Sequence, residues 1–401
     1  MHLKLRDLSL FIAIILLVGC SSQPEVEVPD HIKELENLTV YPANPEPKME
    51  IELIPEQTFG STNEVLIGKL GSLGADSSGR VFIEDTDKKH IHVFAPDGSH
   101  ITQFGREGRG PGEYRTIDIL GTSKNRLFVN DPFRRRLSIY SLDSLNLLAD
   151  HNMTPKFKSR REGLAHHSIG QLLQMDSDTY LAGFAPTIQR DPDSPRFNAD
   201  SLYRKYYLLD NNGQFISEKI FEQRYLTFLF AQIKGETRST AFRFMGLPLL
   251  TVSDNEHIYS ALSTDFLIKV RDSTGNYQRA FYYPVPKRTF TREEALNYVD
   301  MDYHRSVIRN AVSADLPEYW HLLHSMKSDD KNRLWVSMVV EDQEVLQWWV
   351  LDKAGKLLAR FTWPRSRSIE EIKDGYLYAN ETDDETGVAE IVRYRIDMQS
   401  M

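Results

Sequence analysis

Arginine is the residue type whose spacing most directly suggests chemistry in this chain. Arg106, Arg109 and Arg115 lie in a glycine-rich stretch, and Arg134 begins a run of three consecutive arginines. The paired N–H donors of a guanidinium group match the oxygens of a carboxylate or a sulfate. These residues therefore predict a basic patch for the acidic groups of a glycan or cell-wall ligand. The competing interpretation is a solvated hairpin turn whose arginines pair with nearby acids, as charge runs commonly do.

Two aspartates occupy matching positions at the ends of short apolar stretches. Asp85 and Asp131 each end a short apolar stretch that is followed by a turn. The matching positions elsewhere in the chain, Ala182-Gly183, Ser260 and Ser337, carry no acid. Aspartate is common at turns because its side chain accepts hydrogen bonds from nearby backbone N–H groups. A turn or cap role is therefore the favoured interpretation, and both residues are kept as candidates for ligand contact.

Two histidine pairs, His166 with His167 and His321 with His324, raise the question of a metal site. Side chains of adjacent residues in a strand point to opposite faces, and so do those of residues three apart. Neither pair is therefore expected to chelate one ion, and no acid recurs at a regular spacing beside them. We predict no metal ion and no cofactor, and we keep His167 and His321 as candidate ligand contacts.

The glycines between Gly105 and Gly112 have a spacing that is also found in phosphate-binding loops. Such a loop needs a strand before it, a helix after it and a Lys followed by Ser or Thr. This segment follows a predicted outer strand and has no such pair. The sequence therefore predicts a turn that joins two repeated units.

The elements that position these residues come from a repeat. Residues 75–105 have alternating apolar positions interrupted by Ser-Gly and Asp-Gly turns, which is typical of strands joined by hairpins. Similar units begin near residues 122, 176, 253, 328 and 373. Six such units predict an all-β chain folded as a six-bladed β-propeller. The last unit lacks a fourth strand, which residues 51–60 can supply, so that the ring closes without open edges.

The glycine-rich turn after Phe104 resembles that of NHL-type repeats. The whole pattern resembles the six-bladed propeller lipoproteins of Bacteroidetes-like bacteria over roughly residues 49–397. In enzymes with this fold, metal-binding carboxylates and amides often lie near the mouth of the central channel. The resemblance therefore implies a propeller lipoprotein and keeps an enzymatic alternative open.

Three insertions are expected to mark the face of the propeller that binds a ligand. They span residues 185–202, 221–245 and 283–317. The first lies between the second and third strands of its unit, and the other two join successive units. In a propeller these loops emerge on the same face as the glycine-rich turn, and long loops on a rigid scaffold commonly bind ligands. Thr291, with Glu293 and Glu294 after it, predicts a capped helix in the third insertion.

The amino-terminal segment predicts export and lipidation. Lys4 and Arg6 precede an apolar run that ends at Leu16-Leu17-Val18-Gly19-Cys20. This layout is that of a secretory signal, and the ending resembles a bacterial lipobox with Cys20 as the lipidated residue. We predict a signal peptide at 1–19, a flexible tether at 20–48 and the propeller at 49–401. The residue after Cys20 favours the outer membrane over the inner one, on the periplasmic side or the cell surface.

Composition narrows the classes of function. The net charge is −9, and Cys20 is the single cysteine. An acidic chain is a poor general binder of nucleic acid, and a lipidated Cys20 would leave no thiol for a nucleophile or a disulfide. The favoured function is a lipid-anchored envelope module that binds a protein, peptide or glycan on its insertion-bearing face. The alternative is a metal-dependent hydrolase or lyase with its site at the channel mouth.

Overall fold

The computed structural model describes residues 28–62, 65–154, 163–164, 167–176, 178–186, 202–299, 301–383 and 385–401. Cys20, residues 1–19, His166 and most of the 185–202 insertion lie outside these described residues. No helix among the described residues is long and apolar enough to cross a membrane.

Alternating apolar residues and positive-φ turn residues produce a series of four-stranded antiparallel sheets. In sequence order, the amino-terminal elements and the first two blades are α1 (Asp30–Lys33), β1 (Leu38–Val40), β2 (Met49–Gly60), β3 (Leu70–Ala75), β4 (Val81–Asp85), β5 (His90–Phe94), β6 (His100–Phe104), β7 (Arg106–Glu107), β8 (Glu113–Tyr114), β9 (Asp118–Ser123), β10 (Arg126–Asp131), β11 (Arg136–Ser141) and β12 (Leu147–Asn152). Blade 1 is β3 to β6 and blade 2 is β9 to β12, while the parallel pair β7–β8 joins them.

Blades 3 and 4 follow with the same order. Their strands, the intervening hairpin and the helices after them are β13 (His167–Gln174), β14 (Thr179–Pro186), β15 (Tyr203–Asp210), β16 (Phe221–Arg224), β17 (Phe228–Ile233), β18 (Glu236–Ala241), β19 (Pro248–Val252), β20 (Ile258–Leu262), β21 (Leu267–Arg271), β22 (Tyr277–Tyr282), α2 (Arg292–Tyr298) and α3 (Asp302–Asn310). Blade 3 is β13 to β16, and blade 4 is β19 to β22. Residues 221–224 are thus the outer strand of blade 3, so the second insertion begins after Arg224 and not at residue 221 as predicted.

The last two blades close the ring. Their strands are β23 (Leu323–Ser328), β24 (Leu334–Val339), β25 (Val345–Leu351), β26 (Leu357–Pro364), β27 (Ser368–Lys373), β28 (Tyr376–Thr382) and β29 (Ala389–Ser400). Blade 5 is β23 to β26, and blade 6 combines β27 to β29 with the amino-terminal β2. Ile51 pairs with Met398 and Ile54 with Arg395. The predicted six-bladed propeller with an amino-terminal closing strand is confirmed.

The apolar core lies between neighbouring blades. Trp348 packs in the cluster shared by blades 5 and 6, and Trp349 packs in the cluster shared by blades 4 and 5. Adjacent residues in a strand point to opposite faces, so one aromatic pair fills two interfaces. The first strand of each blade lies innermost, where it contacts the first strands of its neighbours. The inner strands all begin on one face, which we call the insertion face.

The segment that precedes β2 is packed on blade 4. Strand β1 pairs in parallel with β22, with Leu38 opposite Ala280. Ile32 of α1 is fully buried beside Tyr282, and the Tyr41 ring stacks on Tyr283 with 4.8 Å between the ring centroids. The prediction of a flexible tether over residues 20–48 is therefore wrong from residue 28 onward. The apolar residues of this short segment pack against the edge of blade 4, which lies about 240 positions later in the sequence.

The second and third insertions form a joint cap on the insertion face. Hairpin β17–β18 packs against α2 and α3 around buried Leu229, Phe244, Val307 and Trp320. The Thr291 hydroxyl accepts a hydrogen bond from the Glu294 backbone N–H, which confirms the predicted capped helix. The second helix and the common core of the two insertions were not predicted.

Candidate anion-binding pocket

A pocket of about 360 Å³ lies on the insertion face of blade 2. Its lining is mainly cationic and consists of Arg109, Arg115, Phe133, Arg134, Arg136 and Asn152. Three of the four predicted arginines therefore meet here. The fourth, Arg106, is not in the lining, because its guanidinium pairs with the Glu113 carboxylate at 2.7 Å. Phe133 and Asn152 were missed, because nothing local in the sequence distinguishes them from other turn residues.

The glycine-rich loop holds Arg109 in place around an internal carboxylate. Glu113 Oε2 accepts hydrogen bonds from the backbone N–H groups of Arg109 and Gly110, both at 2.7 Å. These backbone hydrogen bonds and the Arg106 guanidinium lower the pKa of Glu113, so it is ionised at neutral pH. A side chain at Gly108 would clash with Glu113, because an added Cβ would lie too close to Oε2. The loop binds its own anion and is the predicted joining turn.

The hairpin between β10 and β11 supplies the opposite wall. Arg136 donates hydrogen bonds to the backbone carbonyls of Arg109 and Glu113, and its Nε lies 3.3 Å from an Asp150 carboxylate oxygen. The Arg115 guanidinium lies over the Phe133 ring at 4.5 Å, while 63% of Phe133 remains exposed. A cation and an exposed aromatic ring are thus presented side by side.

Asp131 and Asp85 perform the same structural task in successive blades. Asp131 accepts hydrogen bonds from the backbone N–H groups of Arg115 and Arg134, at 2.8 and 3.0 Å. Asp85 accepts them from Gly68 and Lys88, both at 3.2 Å. Both carboxylates are fully buried. Each aspartate therefore ties a hairpin turn to the loop that enters its blade, as the turn interpretation predicted.

Hydrogen bonding also shows how the pattern continues in blade 4. The Ser263 hydroxyl accepts a hydrogen bond from the Leu247 backbone N–H at 2.8 Å. Ser263 therefore replaces the aspartate, whereas the sequence had placed the matching position at Ser260. The mismatch arises because the second strand of blade 4 runs through Leu262 before its turn.

The hydrogen bonds to Asp85 also affect its ionisation. Burial of the Asp85 carboxylate acts to raise its pKa, but the backbone hydrogen bonds and Lys88 outweigh burial and lower the pKa.

The pocket retains uncompensated positive charge. Arg134 Nε lies 3.5 Å from Asp131, and Arg136 is paired with Asp150. Among the described residues, neither Arg109 nor Arg115 forms an ion pair with a carboxylate. The interpretation of arginines paired with local acids therefore holds for Arg106, Arg134 and Arg136, but it does not cover the whole patch. The pocket can offer at least two free guanidinium groups to an anion.

The candidate histidines lie outside this pocket. His167 begins β13, and His321 precedes β23. The expectation that His321 and His324 point to opposite faces assumed one regular strand, which the structure does not form here, and their ring centroids are 6.3 Å apart. His321 lies before the strand, and an irregularity in pairing between Leu323 and Ser325 breaks the alternation. Within the described part of the chain, no group of three or more His, Cys, Asp or Glu residues is placed to hold a metal ion.

A further histidine cluster, in blade 1, was not predicted from the sequence. His92 Nδ1 lies 3.3 Å from His100 Nε2, and His92 Nε2 lies 3.9 Å from an Asp85 oxygen. Burial, followed by the neighbouring His100, lowers the pKa of His92 to about 4. The His92 ring is only 1% exposed. It is an internal part of the blade, and alternate positions 90 and 92 on one strand were its only sequence signal.

The fold and the pocket together define a six-bladed β-propeller with a cationic pocket on its insertion face. Residues 44–181 match a family model described as a 6-bladed beta-propeller, DUF5128. No curated protein matches the chain.

Several solved structures are similar to this chain at low sequence identity. A duf4221-family protein of Bacteroides vulgatus is 12% identical, with a TM-score of 0.50 and coverage of 88% of this chain and 100% of that one. A protein of Bacteroides fragilis proposed to be exported is 13% identical, with a TM-score of 0.48 and coverage of 90% and 99%. An aldose sugar dehydrogenase of Streptomyces coelicolor is 12% identical, with a TM-score of 0.42 and coverage of 88% and 100%. A fold alone does not assign a function.

Proposed function

We propose that this chain is a lipid-anchored envelope propeller that binds acidic glycans through the arginine pocket of blade 2. The observation that carries the proposal is the set of four arginines around a pocket of about 360 Å³, two of them without a carboxylate partner among the described residues. Guanidinium groups bind carboxylates and sulfates with paired, charge-assisted hydrogen bonds. The pocket volume falls at the lower end of typical small-ligand sites.

The exposed Phe133 ring favours a sugar unit over a free inorganic anion. A sugar acid presents an apolar ring face beside its carboxylate or sulfate. Phe133 and Arg115 present the matching pair, an aromatic surface and a cation 4.5 Å from its centroid. No observation on the described residues favours the alternative of a metal-dependent hydrolase or lyase, since the oxygens of Asp85 and Asp131 are engaged by backbone N–H groups.

Anchoring at the envelope is supported by the resemblance of residues 16–20 to a lipobox. The proposal includes export, a lipid on Cys20 and retention at the outer membrane. Changing Cys20 to Ser should move the protein from the membrane fraction to the soluble fraction of the producing cell. Unchanged membrane retention in Cys20→Ser would count against the lipid anchor.

Binding of the full chain to chondroitin sulfate and polygalacturonate, with neutral dextran as the reference polymer, tests the pocket. Arg115→Gln should weaken binding to the acidic polymers by about tenfold or more, because a charge-assisted hydrogen bond contributes about 1.5–3 kcal/mol. Arg135→Gln is the matched control. It removes the same charge from an exposed turn residue that does not line the pocket. It should change affinity by less than about threefold, through weak long-range electrostatics.

Two results would overturn the proposal. One is equal binding of dextran and the acidic polymers. The other is an equal loss of affinity in Arg135→Gln and Arg115→Gln, which would show general attraction to a basic surface and no role for the pocket. Affinity should also fall as salt is raised, because the contact is between exposed charges.

A further inference from the structure

A second cationic cluster lies on the insertion face, at the junction of blades 4, 5 and 6. Arg243 comes from the 3-10 turn at the end of the second insertion, which leads into β19. His321 and His324 lie at the start of β23, and Arg365 lies between β26 and β27. We call these four residues the channel-mouth cluster, since β19, β23 and β27 are inner strands. None of them lines the arginine pocket.

Three ring nitrogens of the two histidines in this cluster are buried without partners. His321 is 3% exposed, and neither of its ring nitrogens has a hydrogen-bond partner within the described part of the chain. His324 Nδ1 is likewise buried without a partner, and its Nε2 lies 3.4 Å from Arg243 Nη1. Buried polar atoms are almost always hydrogen-bonded in folded proteins. Three unsatisfied ring nitrogens side by side therefore indicate that a ligand or solvent completes this site.

The guanidinium groups add positive charge without local compensation. Arg365 has two buried side-chain nitrogens, Nε and Nη2, that have no partner among the described residues, and its guanidinium lies 5.8 Å from the Tyr298 ring centroid. No described carboxylate pairs with Arg243 or Arg365. Arg243 is exposed, but the two buried donors of the half-buried Arg365 have neither an acceptor nor a counter-ion, which is unfavourable. The group that completes the cluster should therefore be an anion.

The protonation state fits an oxyanion. Burial lowers the pKa of His321 to about 3, with added contributions from His324, Arg243 and Arg365. Burial, followed by Arg243 and Arg365, lowers the pKa of His324 to about 4. Each neutral ring therefore offers one N–H donor, and the guanidinium groups supply the positive field. Each of the four side chains therefore carries at least one N–H donor.

We propose that the channel-mouth cluster binds one small oxyanion, of the carboxylate, sulfate or phosphate type, through Arg243, His321, His324 and Arg365. The buried His321 and the cap above it limit the site to a single group, in contrast to the open pocket on blade 2. The site is separate from the proposed glycan pocket, so either can exist without the other.

Calorimetric titration of the full chain with inorganic phosphate, at fixed ionic strength balanced with NaCl, tests this site. Sulfate and acetate are the second and third probes, and they distinguish the three types of oxyanion. The wild-type chain should bind phosphate or one of the other two probes with a dissociation constant in the millimolar range or below. Arg243→Gln should weaken this binding at least about tenfold, because Arg243 is exposed and its loss removes a charge-assisted donor without a cavity. His321→Gln should weaken it similarly.

Two variants make the result specific. Arg309→Gln removes an exposed arginine of α3 in the same cap and should leave binding within about twofold. Arg115→Gln removes the contribution of the blade 2 pocket and should leave the channel-mouth binding intact, which separates the two proposals. Lack of binding of all three probes up to about 10 mM, or an equal loss in Arg309→Gln and Arg243→Gln, would overturn the inference.

Discussion

The arginine pocket and the channel-mouth cluster lie on the same face of the propeller but are assembled in different ways. The pocket is built from turns and strand ends between residues 109 and 152, in one repeat and the loop that enters it. The cluster draws on three segments that are up to 122 positions apart, from Arg243 to Arg365, and lies beside the cap. The pocket exposes Arg109 and Arg115 to solvent, whereas the cluster buries His321.

This contrast shows how one scaffold can hold two kinds of cationic site. In the pocket, buried Asp131 and Glu113 fix the backbone while the guanidinium groups project outward. In the cluster, buried His321 lies beside the Trp320 ring of the cap, and half-buried Arg365 lies beside the Tyr298 ring. The first arrangement suits a large ligand that remains partly in water, and the second suits a small anion that is desolvated.

The largest effect should come from removing the cap core. Trp320→Ala deletes a 3%-exposed ring that lies 5.0 Å from Phe290 and 5.7 Å from Phe244. Such a truncation should lower the stability of the cap by about 3–5 kcal/mol. Hydrogen exchange of the α3 amides should accelerate, and phosphate binding should be lost, while binding of acidic glycans at blade 2 persists. The exposed neighbour Tyr319→Ala is the control and should change stability by less than about 0.5 kcal/mol.

Simultaneous loss of phosphate and glycan binding in Trp320→Ala would contradict the independence of the two sites. Unchanged exchange in α3 would show that the cap does not depend on its aromatic core.

A smaller effect is expected from the paired aspartates. Asp131→Ala leaves two backbone N–H groups without their acceptor and Asp85→Ala leaves three, so each should lower the free energy of unfolding by about 2–3 kcal/mol. Chemical denaturation measures this loss. Only Asp131 holds the backbone of Arg115 and Arg134, so only Asp131→Ala should also weaken binding of acidic glycans. An equal loss of binding in Asp85→Ala would mean that blade 1 contributes to the pocket.

The smallest effect concerns pH. The pKa values of His321 and His92 are lowered to about 3 and about 4, chiefly by burial. The unfolded chain protonates these rings below about pH 6.5, and the folded chain does not. The free energy of unfolding should therefore fall as the pH drops from 6.5 toward 4, by roughly 2 kcal/mol per ring between pH 7 and pH 5. Denaturation at several pH values should show this slope, and His321→Gln or His92→Gln should each reduce it.

Phosphate sharpens the comparison between these two histidines. A bound anion beside His321, His324, Arg243 and Arg365 favours the imidazolium form of His321. Saturating phosphate should therefore reduce the contribution of His321 to the pH dependence of the free energy of unfolding. His92 is enclosed by His100, Asp85 and Phe94 in blade 1, and its share should persist. An identical response of His321→Gln and His92→Gln to phosphate would argue against an anion at the channel mouth.

The blades and the closure of the ring could be predicted because each depends on a repeated local pattern. Val81 to Asp85 and Leu127 to Asp131 show the same apolar alternation and the same acid at the turn. The arginine run could be seen because its three residues are consecutive in the sequence. The packing of β1 on β22 could not be predicted, because three residues carry no clear period and their partner lies far away in the sequence.

The channel-mouth cluster was hidden by a single irregularity. A regular strand would have separated His321 from His324, and the break in pairing near Ser325 brings their rings together. The contribution of Arg243 depends on where the second insertion ends, and that of Arg365 on the junction between blades 5 and 6. The positions of Arg243 and Arg365 depend on tertiary structure, which no local sequence pattern predicts.

The packing of α1 and β1 on blade 4 also limits how far the propeller can stand from a bilayer. Only residues 21–27 lie between Cys20 and the first packed side chain, Val28. Fully extended, the eight Cα-to-Cα steps from Cys20 to Val28 span about 28 Å. A lipid on Cys20 would therefore keep the outer rim of blade 4 within about one domain radius of the headgroups. A ligand bound at blade 2 would then lie no further from the membrane than this reach plus the width of the propeller.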